Sequence, residues 1–82
     1  MKVGIFYNSI SNPNKFQNKV ELMNTFKAGV VANGDTVVEY KNNNLPTRSL
    51  DAGFVLGYTL ENNFRKKIID RLRAFDVPQI FV

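Results

Sequence analysis

Two short polar segments hold most of the residues in this sequence that can do chemistry. The first, Asn8 to Asn14, offers Asn8, Ser9, Ser11 and Asn12, and the second, Gly57 to Asn63, offers Tyr58, Thr59, Asn62 and Asn63. Amides and hydroxyls donate and accept hydrogen bonds without carrying charge. That suits sugars, polar base edges, or a phosphate seated at a helix N-terminus. The same residue types also serve as turn and cap residues that satisfy nearby backbone, so each has a structural reading beside the ligand-binding one. A third set is cationic. Lys66, Lys67 and Arg73 stand off the apolar stripe of a basic helix and can meet a nucleic-acid phosphate backbone, with Glu61 and Asp70 partly balancing them.

The missing residue types narrow the chemistry further. The chain has no cysteine and no histidine. Disulfide frameworks, thiol nucleophiles, cysteine- or histidine-based zinc sites and serine–histidine pairs are therefore excluded. Carboxylates are few: Glu39 and Asp51 bracket a long connection, while Asp35 and Asp76 sit at turns where side chains commonly bond local backbone. No pair has a spacing that calls for acid–base work, and no catalytic residue or metal site is assigned. There is no G-x-G-x-x-G and no P-loop. The first loop also lacks the Thr-Gly spacing of flavodoxin-type flavin phosphate sites, so no cofactor is expected.

The elements that must position these loops follow from periodicity. Val3 to Tyr7 reads as a strand, with Gly4 marking close approach of a packed helix. Phe16, Val20, Met23, Phe26 and Val30 form a helical stripe starting between Pro13 and Asn18 and ended by Asn33-Gly34. Thr36 to Tyr40 is a second strand, and Lys41 to Asp51 is a helix-poor connection. Ala52 to Tyr58 is an apolar third strand. Phe64, Ile68, Leu72 and Phe75, widened by Ile69, define a second helix, capped by Thr59, Asn62 or Asn63 and stopped by Pro78. Gln79 to Val82 is a fourth, buried strand.

At 82 residues, 44% of them hydrophobic, the chain has room for one domain, spanning 1–82. Right-handed crossovers predict an α/β fold: a small open parallel sheet of order 2-1-3-4 with two helices, a Rossmann- or flavodoxin-like half domain. In that order the first and third strands flank a topological switch point, and the two polar loops line its crevice. One helix per face leaves apolar strand surface uncovered. The chain is therefore expected to be the N-terminal segment of a larger protein, or to complete its sheet as a homo-oligomer. The net charge of +4 permits phosphate contact without requiring it. No apolar run approaches a signal peptide or the roughly 20 residues of a membrane span, so a cytoplasmic protein without membrane contact is expected.

The opening Met1-Lys2-Val3-Gly4-Ile5-Phe6-Tyr7-Asn8, the helix ending Val31-Ala32-Asn33-Gly34-Asp35, the strand Thr36-Val37-Val38-Glu39-Tyr40 and the segment Leu50 to Gly57 together carry a resemblance. They resemble the amino-terminal Rossmann-like domain of a GT-B glycosyltransferase, a group that includes phage enzymes glycosylating modified DNA bases. The resemblance implies an acceptor-side domain that is inactive alone, with a missing C-terminal domain holding the nucleotide-sugar. It implies a polar acceptor, DNA among the candidates, and places both polar loops facing an interdomain cleft. Two alternatives stand beside it: a small non-enzymatic binding or assembly module that completes its sheet by oligomerising, and a flavodoxin-like redox module.

Overall fold

The structure, a computed structural model, describes residues 1–10, 12–46 and 50–82. Strands β1 (Lys2–Tyr7), β2 (Thr36–Lys41), β3 (Ala52–Val55) and β4 (Gln79–Phe81) form one sheet of order β2-β1-β3-β4, every pair parallel. Helix α1 (Gln17–Ala32) connects β1 to β2, and α2 (Asn62–Ala74) connects β3 to β4. The α/β fold and strand order expected from the sequence are those of the structure. β1 lies in the middle, so the two crossovers run outward from it and the helices fall on opposite faces.

Both helices end in the same motif. In α1 the Gly34 N–H reaches the Val31 carbonyl and the Asp35 N–H the Val30 carbonyl, each at 3.0 Å, with Gly34 at φ +81°. In α2 the Asp76 N–H bonds to the Arg73 carbonyl and the Val77 N–H to that of Leu72, with Asp76 itself at φ +56°. These paired bonds satisfy orphan carbonyls of the last turn. The stop of α2 is therefore this left-handed aspartate, two residues ahead of the proline that the sequence suggested. The start also differs. Glu61 is the N-cap residue of α2 and no side chain caps it, while the Thr59 hydroxyl donates to the Leu56 carbonyl at 2.8 Å instead.

The α1 face carries Val3, Ile5, Phe54 and Leu56 under Met23, with Phe26 and Val30 packed alongside. The opposite face carries Phe6 and Val55 under Ile68 and Leu72. That face has a second cover. Leu50 and Pro46 of the connection between β2 and β3 are buried, and Leu45 joins them against a Phe6–Tyr40 ring stack with centroids 4.7 Å apart. The approach marked by Gly4 is made by Leu50 and the Phe6 ring, not by a helix, since a Cβ there would collide with both side chains. The uncovered strand surface expected with one helix per face lies, among the described residues, chiefly over β3 and β4 on the α1 face, while Phe81 stays half exposed on the other.

Two strand expectations need correction. β3 ends at Val55, and Gly57–Thr59 is a turn of 3-10 helix, because Gly57 hydrogen-bonds to the Val82 carbonyl and the chain turns directly into α2. β4 is not buried. Among the described residues it pairs on one side only, and Ile80 and Phe81 keep 47% and 48% of their surface exposed. Among the described residues no helix is long and apolar enough to cross a membrane.

Candidate functional site

The carboxyl ends of β1 and β3 bring the two polar loops together. The Asn8 backbone N–H donates to Thr59 Oγ1 at 3.0 Å, tying the end of β1 to the turn after β3. The Asn8 side chain reaches the other way. Its Nδ2 donates to Asn43 Oδ1 at 2.7 Å, and its Oδ1 accepts the Asn43 backbone N–H at 3.0 Å. Asn42 and Asn43 both adopt left-handed backbone, at φ +61° and +62°. Asparagine tolerates that region better than most residues, and the reciprocal amide pairing with Asn8 holds the turn in place. The asparagine run after β2, part of a helix-poor connection by sequence, is therefore the third wall of the rim.

Aromatic contact closes the same rim. Phe16, one residue ahead of α1, stacks on Tyr58 with ring centroids 4.2 Å apart, and the Lys15 and Lys19 ammonium groups lie 5.4 and 5.8 Å from the Phe16 centroid. Tyr58 Oη is shielded from solvent and has no hydrogen-bond partner among the described residues. An unpaired buried hydroxyl of this kind costs on the order of 1–3 kcal/mol.

The expected ligand-binding residues thus divide by what they already hold. Asn8 and Thr59 are engaged by other loop groups, and Asn62 Oδ1 accepts from the Arg65 guanidinium. Ser9, Asn12 and Asn63 are exposed on the rim, with Asn12 at φ +49° where the chain turns into α1. Tyr58 contributes its ring. Ser11 lies outside the described residues. Of the cationic set, Lys66, Lys67 and Arg73 are all exposed. Lys67 lines a shallow cleft with Leu45, Asp70, Arg71 and Ala74, whereas Lys66 and Arg73, seven residues apart, share another side of α2. They do not form one row.

Sequence reading missed a polar cluster on the α1 face. Tyr7 Oη donates to Glu39 Oε1 at 3.2 Å, the Lys27 ammonium donates to the same oxygen at 3.0 Å, and Lys27 and Lys41 each lie 5.7 Å from the Tyr7 ring centroid. The hydrogen bond and charge of Lys27 hold the Glu39 carboxyl below its ordinary range. Burial pushes the Tyr7 phenol up, with Glu39 acting in the same sense and Lys27 opposing it. A tyrosine so placed keeps its proton at neutral pH and serves as a donor. The β1–β2 register, which sets Tyr7 against Lys41 and Ile5 against Glu39, could have found the strand part of this cluster. Among the described residues no group of three or more acidic side chains could hold a metal ion.

An apolar hollow lies elsewhere. A groove of about 590 Å³ opens on the α1 face at the amino ends of the strands, between Val3, Phe26, Val30, Ala52 and Ile80, and its lining is chiefly apolar. It runs between α1 and the surface of β3 and β4 that the helix leaves uncovered.

Comparison with known proteins gives no match: no family model, no curated protein and no solved structure resembles this chain closely enough to identify it. The class defined here is a small parallel α/β domain of Rossmann-like topology.

Proposed function

We propose that this chain is the acceptor-side half of a glycosyltransferase-like enzyme, holding a polar, hydroxyl-bearing ligand at the carboxyl ends of β1 and β3. One observation carries the reading. The two loops flanking the switch point, where open α/β sheets hold their ligands, are joined by the Asn8–Thr59 hydrogen bond and the Phe16–Tyr58 stack. Around that joint, Ser9, Asn12 and Asn63 offer uncharged donors and acceptors. Lys15 and Lys19 offer positive charge to a phosphate, and the Phe16–Tyr58 pair offers an aromatic surface to a sugar or base. In this reading the nucleotide-sugar is held by a second domain, so this chain alone binds without turning over. With DNA as acceptor, Lys66 and Arg73 would add sequence-independent phosphate contacts that weaken with salt.

Amide NMR tests the reading directly. A duplex carrying hydroxymethylated cytosine should shift the amides of Ser9 to Lys15 and Tyr58 to Phe64, more strongly than the same duplex unmodified. Free flavin mononucleotide should leave them unmoved. Shifts confined to α2, or none at millimolar ligand, overturn the acceptor assignment. A stable yellow complex with flavin would favour the redox module instead.

A further inference from the structure

The amino half of the α1 face raises a separate question, independent of the rim. Among the described residues β4 is hydrogen-bonded on one side only. The Gly53 N–H binds the Pro78 carbonyl at 2.9 Å and the Val82 N–H binds the Val55 carbonyl at 3.0 Å. In a parallel ladder alternate residues face the partner strand, so the N–H and C=O of Gln79 and Phe81 point to the free edge. Natural edge strands are usually blunted by charge, proline or a covering element. Here proline stands only at the start, as Pro78, and the two side chains that follow Gln79 are Ile80 and Phe81, both about half exposed. Ile80 projects into the apolar groove beside Phe54, its register partner. Phe81 projects to the other face, where the Arg65 guanidinium lies 5.7 Å from its ring centroid. Gln79 Oε1, on the same strand, is shielded and without a donor among the described residues.

The charge beside this edge favours one kind of occupant. Arg65, Ile69 and Arg73 recur at four-residue steps, so they line one flank of α2, and the Arg65 contact fixes that flank as the one over β4. A second copy of this chain, paired about a two-fold axis normal to the sheet, would set these arginines against their own counterparts. Like charges so juxtaposed disfavour the pairing. A segment with carboxylates on one side and apolar residues on the other meets the arginines with one and the groove with the other. The net charge of +4 adds long-range attraction in the same sense.

We propose that the free edge of β4 takes an extended, acidic and apolar segment of a partner polypeptide. The segment pairs with the backbone of Gln79 and Phe81, sets an aliphatic side chain against Ile80 in the groove, and presents carboxylates to Arg65 and Arg73. This is strand addition, in which main-chain bonds supply affinity and alternate side chains supply specificity.

The test uses the whole chain and two soluble heptapeptides, one alternating glutamate with valine and one alternating lysine with valine. The glutamate peptide should slow hydrogen exchange at the Gln79 and Phe81 amides and bind at least about tenfold more tightly than the lysine peptide, with the gap closing at high salt. The double variant Arg65→Glu with Arg73→Glu should reverse that preference. Because both positions are outside the fully buried core, circular dichroism should show it folded. Equal binding of the two peptides overturns the proposal, as does protection that excludes Gln79 and Phe81. Concentration-dependent dimerisation abolished by Ile80→Glu would also overturn it, because a second copy would then be the occupant. Because Arg65 also donates to Asn62 on the rim, the rim is tested separately, by the amide shifts of the unsubstituted chain.

Discussion

The two faces of the sheet are finished in different ways. On the α2 face a helix covers β3 and β4 while side chains of the β2–β3 connection, Leu45, Pro46 and Leu50, cover β1 and β2. On the α1 face the helix covers β1 and β2, and β3 and β4 are left with a groove. A parallel sheet needs apolar cover on both faces, but the cover need not be helical. A few well-placed apolar side chains on a connection suffice, and where the chain supplies none the face stays open to another polypeptide.

The contrast can be broken from the sealed side first. Leu72 is fully buried and Leu50 is 6% exposed. Leu72→Ala should cost on the order of 2–5 kcal/mol and Leu50→Ala somewhat less, since Leu50 keeps a little solvent contact. Urea titration measures both. A negligible Leu50→Ala effect would mean the connection does not act as a cover. Next comes the rim that joins the faces at the carboxyl ends. Asn8→Ala should lose about 1–3 kcal/mol, since it removes the pairing that holds Asn43 in left-handed backbone. Asn43→Gly should cost less than Asn43→Ala, because glycine needs no help at positive φ. The open face should respond least. Ile80→Ala, half exposed at the edge, should cost under about 1 kcal/mol, and a larger loss would show that the groove is already filled in solution.

Acid gives the smallest effect. The Glu39 carboxyl is held low chiefly by Lys27, and that of Asp35 by the Asn33 side chain and then the amino terminus. A lowered folded-state pKa gives stability that is present above the ordinary carboxylate value and lost as pH falls through the folded one. The melting temperature should therefore fall modestly only below the usual carboxylate range, and Glu39→Gln should flatten part of that fall.

Much of the architecture was legible because its signals are local. Phe64, Ile68, Leu72 and Phe75 announce α2 by spacing, and Gly34 announces the end of α1. Non-local facts were not legible. Apolar residues at Ile80 and Phe81 look alike in a central strand and at an edge, so β4 read as buried. The stop of α2 fell to Asp76, whose left-handed backbone no composition rule marks. At the rim, residue types placed the loops, yet could not say that Asn8 and Thr59 spend their hydrogen bonds on one another. Tyr7, Lys27 and Glu39 meet across 12 to 32 positions of sequence, a distance that only the sheet register closes.

The central position of β1 also bears on how the domain assembles. β1 must keep one side unpaired while more than forty residues are added, because its second neighbour, β3, begins at Ala52. Closing that long loop makes the step intrinsically slow. A nascent chain therefore passes through a stage in which a half-built layer, β1 with α1 and β2, waits with its later margin bare on the ribosome.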